Sequence, residues 1–98
     1  MAGGEVLVVA EIQKVHDAEA MRLYQEAARA QFGRYGGSIV ARGGEAVEGD
    51  PPFGALLVQR WPSAQAFRDW QASEEYRPLM ERRKACVDMR ISILPIVG

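Results

Sequence analysis

The sequence has very little of the residues from which disulfides and metal sites are built. It contains one cysteine, Cys86, and one histidine, His16. A lone cysteine cannot form an intrachain disulfide, and one histidine beside it does not make a usual set of metal ligands. We therefore expect no metal and no cofactor, and haem is the group least excluded, because His16 alone could supply an axial ligand. Cys86 is interpreted as a small apolar residue near a helix end, and a catalytic thiol is the alternative.

Long hydrophobic runs and an excess of one charge are also missing. The longest apolar runs, residues 6–10 and 55–58, are the size of strands and fall far short of the ~20 residues that cross a membrane. The amino terminus lacks the positive start of a signal peptide. Twelve Lys and Arg against thirteen Asp and Glu give a formal net charge of −1, whereas a dedicated nucleic-acid binder gathers basic residues on one face. These features predict a cytoplasmic protein with no membrane or nucleic-acid partner.

What is present predicts one domain over residues 1–98, with four strands and two helical regions. A helix begins after Asp17 as N-cap and runs to Tyr35, and Gly36-Gly37 ends it. The second helical region begins after Ser63 and is broken by a turn at 73–77 before a helix from Pro78 to Cys86. A loop occupies 45–53. The strands are expected at 5–12, 38–42, 54–61 and 89–97.

The order of these elements is βαββαβ, which predicts a ferredoxin-like plait of the α+β class, with an antiparallel four-stranded sheet and both helical regions on one face. The strands nevertheless carry apolar residues on both faces, for example Val8 and Val9. An uncovered apolar sheet face is unusual on a soluble monomer. We therefore expect a homodimer in which two sheets pack face to face as an α+β barrel, with Leu57 among the residues at the interface.

Several short segments recur in a characteristic order and spacing: Gly36-Gly37, Arg42-Gly43-Gly44, Glu48-Gly49, Trp61-Pro62-Ser63, Trp70, Ser73, Tyr76, Arg83 and Ala85. Together they resemble the largely uncharacterised DUF1330 family of the dimeric α+β barrel superfamily over nearly the whole chain. The resemblance implies the fold and the dimer, and it implies no established reaction, because superfamily relatives include cofactor-free monooxygenases, haem-handling proteins and isomerases. Gln71 and Glu74 stand where the family commonly has an aromatic residue and a proline.

Two arginines are the leading candidates for a ligand site. Arg83 lies on an apolar helix face, where an unpaired guanidinium is costly, so it requires a partner. Arg42 precedes two glycines that permit close approach of the backbone. One interpretation is that either arginine, or both, binds the carboxylate of a small ligand. The other is that they form structural ion pairs with Glu48, Glu11 or Asp88.

The aromatic residues and the histidine complete the set of candidates. Trp70 and Tyr76 could frame a ligand pocket together with other aromatic residues, or they could simply form core. His16 is a weak candidate for a general base, since no nucleophile or second histidine completes a recognisable catalytic set.

The sequence leaves open whether the protein is an enzyme. It favours a dimeric small-molecule-binding domain with a pocket between sheet and helices. The alternatives are a cofactor-free enzyme, of monooxygenase or isomerase type, acting on a small acidic or aromatic metabolite, and a non-catalytic structural dimer module. An apolar pocket of a few hundred cubic ångströms beside Arg42 or Arg83 would favour binding or catalysis.

Overall fold

The computed structural model describes residues 4–49 and 55–97 and contains four strands and three α-helices. The predicted loop at 45–53 is described to residue 49, and its remainder lies outside the described residues. In chain order the elements are β1 (Val6–Val15), α1 (Ala18–Phe32), a short 3₁₀ turn (Gly33–Tyr35), β2 (Ser38–Gly43), β3 (Ala55–Trp61), α2 (Ala64–Gln71), α3 (Arg77–Cys86) and β4 (Val87–Pro95).

The helix boundaries follow from the capping residues. The side chain of Asp17 accepts a hydrogen bond from the backbone N–H of Ala20 over 3.0 Å, and the hydroxyl of Ser63 accepts one from Ala66 over 3.0 Å. Pro78 stands at the second position of α3, where the missing N–H would have no partner within the helix. These caps confirm the predicted starts of the helices to within one residue.

The four strands form one antiparallel sheet in the order β2-β3-β1-β4, which is the predicted α+β ferredoxin-like arrangement. The face of β1 that packs under the helices carries Val6, Val8 and Ala10, which are all at most 5% exposed. Gln59 pairs with Val8, and Leu57 pairs with Ala10. Because paired residues share a face of the sheet, Gln59 and Leu57 both lie under the helices. The expected place of Leu57 on the uncovered face is therefore wrong.

The other face of the sheet, which we call the outer face, has no helix over it in the described residues. Its side chains alternate with those under the helices, as the period of two in a strand requires. Its apolar members are Leu7 and Val9 on β1, Leu56 and Val58 on β3, and Leu94 on β4.

The core between sheet and helices is rich in aromatic residues. The predicted stripe of α1 is confirmed, since Met21, Tyr24, Ala28 and Phe32 are all buried. Trp61 is 0% exposed, and a Cβ atom added at Gly37 would come within 2.6 Å of its ring. The turn before β2 therefore requires glycine for close packing. Among residues 4–49 and 55–97, no helix is long and apolar enough to cross a membrane.

Candidate ligand-binding site

A small cavity lies between the helices and the sheet. The space in it that is open to the centre of a water molecule is about 50 Å³, less than the few hundred expected from the sequence. One water needs ~10–15 Å³ on this measure, so the cavity has room for several waters or one small organic group. Its lining comprises Val8, Ala10, Met21, Tyr24, Gln25, Ala28, Arg29, Phe32, Ile39, Arg42, Leu57, Gln59, Phe67, Trp70, Gln71, Met89 and Ile91.

Two arginines of the lining come from neighbouring elements. Arg42 lies on β2 and Arg29 lies in the last turn of α1, and both also border a shallower groove beside Gly37 and Ser38. No aspartate or glutamate lines the cavity or this groove among the described residues. Within residues 4–49 and 55–97, no carboxylate lies within 4.0 Å of either guanidinium. This end of the cavity therefore carries positive charge that described carboxylates do not neutralise.

Deeper in the lining, Gln59 is held by Trp61. The indole Nε1–H of Trp61 donates to the Oε1 atom of Gln59 over 2.8 Å, and the Gln59 residue is only 9% exposed. An indole nitrogen can only donate, so this contact fixes which end of the amide faces the tryptophan. The amide nitrogen of Gln59 consequently faces away from Trp61 and belongs to a side chain that lines the cavity.

Tyr24 connects the cavity wall to a buried chain of hydrogen bonds. Its hydroxyl lies 2.8 Å from the hydroxyl of Tyr76, and the Nε–H of Arg83 donates to that same Tyr76 hydroxyl over 3.2 Å. Burial raises the pKa of Tyr24 well above its ordinary value, and the neighbouring Tyr76 adds to the effect. Tyr24 is therefore a neutral phenol near neutral pH.

The structure separates the two candidate arginines. Arg83 is 8% exposed and does not line the cavity, but borders a different groove with Gln13, Lys84 and Met89. Its described partners are the Tyr76 hydroxyl and the sulfur of Met89, 3.9 Å from Nη1. The required partner is thus a phenol, where the sequence interpretation had offered a carboxylate.

Two of the three carboxylates considered as partners for the arginines make other contacts. Asp88 lies 3.1 Å from Nε2 of His16, and Glu11 lies 3.6 Å from a guanidinium nitrogen of Arg90. His16 is exposed, lies between β1 and α1, and is absent from the cavity lining. The structure therefore does not bring His16 together with Arg42.

The aromatic candidates form one wall of the cavity and its backing. Trp70 lines the cavity, and its indole N–H donates to Oε1 of Gln31 over 3.2 Å. Tyr76 packs behind it with ring centroids 4.1 Å apart and is 0% exposed. Trp70 can contact a ligand directly, whereas Tyr76 can act only through its neighbours.

Sequence reasoning missed Arg29 and Gln59. Arg29 follows Ala28 of the buried stripe by one position, which places it at the edge of that stripe. Gln59 alternates with Leu57 and Trp61 on an apolar strand face, and a polar residue in such a run was the available signal. Gln71, which departs from the family pattern, also lines the cavity. Within residues 4–49 and 55–97, no three potential metal-ligating side chains lie together.

Comparisons with known proteins agree with this fold. A family model described as "Domain of unknown function (DUF1330)" matches residues 5–97. The solved structure of RPA0582, a protein of unknown function from Rhodopseudomonas palustris, superposes with a TM-score of 0.82 at 23% identity, over 98% of this chain and 85% of that one. No curated protein matches the chain in sequence.

Two further solved structures share the architecture. SnoaB, a cofactor-independent oxygenase from Streptomyces nogalater, gives a TM-score of 0.69 at 23% identity, over 97% of this chain and 95% of that one. Rv0793 from Mycobacterium tuberculosis gives 0.65 at 15% identity, over 97% of each chain. At such identities the likeness shows the fold, and activity must be argued from the site.

Proposed function

The chain belongs to the DUF1330 family, and we propose that it is a dimeric cytoplasmic protein that binds a small acidic molecule in the cavity between the sheet and the helices. One observation carries the proposal: the cavity is mostly apolar, yet its lining includes Arg29 and Arg42 and, among the described residues, no carboxylate. Such a site suits a ligand with an apolar body and one anionic end. Trp70 supplies a flat wall for the body.

Arginine is well suited to hold that anionic end. Its planar guanidinium can donate two parallel hydrogen bonds to a carboxylate, and it stays charged at every physiological pH. Arg42 comes from the sheet and Arg29 from α1, so a carboxylate between them would be contacted from two sides. Arg83 supports the site from behind, through Tyr76 and Tyr24.

The outer face of the sheet supports the dimer. It carries apolar side chains on all four strands, and Leu94 is 44% exposed in the single chain. On the same face, the Oε2 atom of Glu11 is buried, lies 3.6 Å from a guanidinium nitrogen of Arg90 and accepts no hydrogen bond among the described residues. A second copy packed on this face would cover the apolar side chains and could bring a donor to that oxygen.

Binding can be tested with paired acids and amides. We expect isothermal titration calorimetry to show that the protein binds 4-isopropylbenzoate and rejects 4-isopropylbenzamide, which has nearly the same shape without the charge. Arg42→Met should remove the preference for the acid. Arg82→Met is the control, because Arg82 is an exposed arginine of α3 outside the cavity lining, and it should keep the preference. Equal binding of acid and amide by the unaltered protein would refute the proposal.

A cofactor-free oxygenase is the second candidate, and the likeness to SnoaB favours it. In that case the cavity would hold a phenol while oxygen reacts with it, and Tyr24 would be the hydroxyl-bearing residue of the described lining. Oxygen uptake that depends on the protein and on the phenol, and that falls in Tyr24→Phe, would support this candidate over simple binding.

A further inference from the structure

We infer that Gln59 selects the ligand, by donating a hydrogen bond from its amide to an oxygen acceptor on a small acid whose carboxylate is held by Arg42. The inference rests on the proposed function and names the second polar group that the ligand carries. It gives the ligand class as a small oxo acid, or an acid with another acceptor oxygen, rather than a plain hydrocarbon acid.

The first argument is the orientation of the Gln59 amide. Its Oε1 atom already accepts from the indole of Trp61, whose nitrogen can only donate. The amide nitrogen therefore presents its two hydrogens elsewhere, and the described residues offer it no acceptor. The residue is 9% exposed and lines the cavity. This nitrogen is not one of the fully buried polar atoms that lack a partner, so it is open to the cavity, where an acceptor oxygen of a ligand would take the place of solvent.

The second argument is the direction of the chain from Arg83 to Tyr24. A guanidinium has no acceptor, so Arg83 donates to the oxygen of Tyr76. Tyr76 is 0% exposed, and the Tyr24 oxygen is the acceptor within reach for its hydrogen among the described residues. In this order the hydrogen of Tyr24 takes no part in the contact with Tyr76, and Tyr24 itself lines the cavity. The lining then offers donors from both Gln59 and Tyr24.

The third argument is the spacing between Gln59 and Arg42. Arg42 pairs with Leu57, and Gln59 lies two residues further along the same strand. Arg42 and Gln59 therefore share one face of the sheet, on neighbouring strands whose pairing is irregular between Ile39 and Ala41. An aromatic ring or a short carbon chain can therefore carry one group that contacts Arg42 and a second group that contacts Gln59.

Four probes test the inference by calorimetry: 3- and 4-acetylbenzoate, and the 3- and 4-isopropylbenzoates that replace the carbonyl by a saturated carbon. The readout is the ratio of affinities within each pair, which cancels the shared carboxylate. For at least one pair, we expect the unaltered protein to bind the acetyl acid about tenfold more tightly, the effect of one hydrogen bond to a buried donor.

Two variants assign the preference to Gln59. Gln59→Glu keeps an acceptor for Trp61 and replaces the donor by a carboxylate oxygen, so the ratio should fall to one or below. Gln59→Leu removes both functions and should also abolish the preference. Gln13→Glu is the matched control, because it is the same chemical change on an exposed strand residue outside the cavity lining, and it should retain the preference. If Gln59→Leu fails to fold, Gln59→Glu decides, since it retains the contact with Trp61.

The outcomes separate this inference from the proposed function. Acids that bind through Arg42, with no acetyl preference in the unaltered protein or with the preference retained in Gln59→Glu, would overturn the role of Gln59 alone. Failure of all four acids to bind at millimolar concentration would overturn both.

Discussion

Arg83 donates from Nε to the hydroxyl of Tyr76 over 3.2 Å, so a buried arginine has a buried phenol as a hydrogen-bond acceptor. That phenol is in turn 2.8 Å from the hydroxyl of Tyr24, at the wall of the cavity. A chain of hydrogen bonds thus connects Arg83 to the cavity wall through two tyrosines, although Arg83 itself does not line the cavity. The contribution of this chain of hydrogen bonds to the free energy of unfolding can be measured by replacing Arg83.

We expect Arg83→Met to lower the free energy of unfolding by about 1 kcal/mol, because the buried Tyr76 hydroxyl loses its donor while the methionine retains much of the packing of the arginine stem. Urea denaturation at one fixed protein concentration measures the change. Arg82→Met, on the exposed side of the same helix, should change it little.

A gain in stability in Arg83→Met would contradict this expectation. It would mean that the unfavourable free energy of burying the guanidinium exceeds the stabilisation from its hydrogen bond to Tyr76. Two tyrosine variants show how much each hydrogen bond contributes. Tyr76→Phe leaves both Arg83 and Tyr24 without their shared partner, whereas Tyr24→Phe leaves the contact of Arg83 in place. Tyr76→Phe should therefore destabilise the protein more than Tyr24→Phe.

The raised pKa of Tyr24 predicts a loss of stability in alkaline solution. Its ordinary pKa is 10.0, and burial raises that of the folded state. The folded state therefore keeps a proton that the unfolded chain releases, and the associated stability is fully present below about pH 10. It is lost as the pH rises above that value towards the higher pKa of the folded state, at up to about 1.4 kcal/mol per pH unit.

The measurement is urea denaturation between pH 8 and 11.5 of the unaltered protein and of Tyr24→Phe. The stability cost of Tyr24→Phe should be constant up to about pH 10 and should shrink above it, because the variant has no proton to lose at that position. A cost that stays constant over the whole range would show that the phenol ionises equally in both states.

The outer face of the sheet predicts a dimer with a mass of about twice 10.8 kDa by size-exclusion chromatography with light scattering. Leu94→Asp should dissociate it, because Leu94 is exposed in the single chain but would be buried against a second copy. Val47→Asp, the same kind of change at a loop residue that is 95% exposed, should leave the mass unchanged. A monomeric unaltered protein would remove the argument for face-to-face packing.

Leu57→Asp is no test of that interface, although the sequence suggested it. A strand with apolar residues on both faces shows which residues share a face, since the period of two settles that, but not which face meets the helices. The register places Leu57 beside Ala10 under the helices. A charge at Leu57 would therefore disturb the core.

The candidate site shows the same limit. Arg42, Trp70, Tyr76 and Arg83 were predicted from their patterns, and the structure places Arg42 and Trp70 in one lining, with Tyr76 and Arg83 behind it. Gln59 was missed because its importance depends on Trp61, which fixes the amide, and on the cavity beside it. Neither the hydrogen bond to Trp61 nor the position beside the cavity can be predicted from the spacing of neighbouring residues in the sequence.

The sequence by itself determined the order of elements, the helix caps and the buried stripe of α1, because capping and periodicity are local properties of the chain. The pattern of apolar residues along the strands also indicated a sheet that is apolar on both faces. Only the tertiary structure decided which face the helices cover, that Arg83 meets a phenol, and that Arg29, Arg42 and Gln59 surround one cavity. These relations join residues far apart in the chain, and they are set by how α1 and the sheet pack, a long-range outcome that no short stretch of sequence contains.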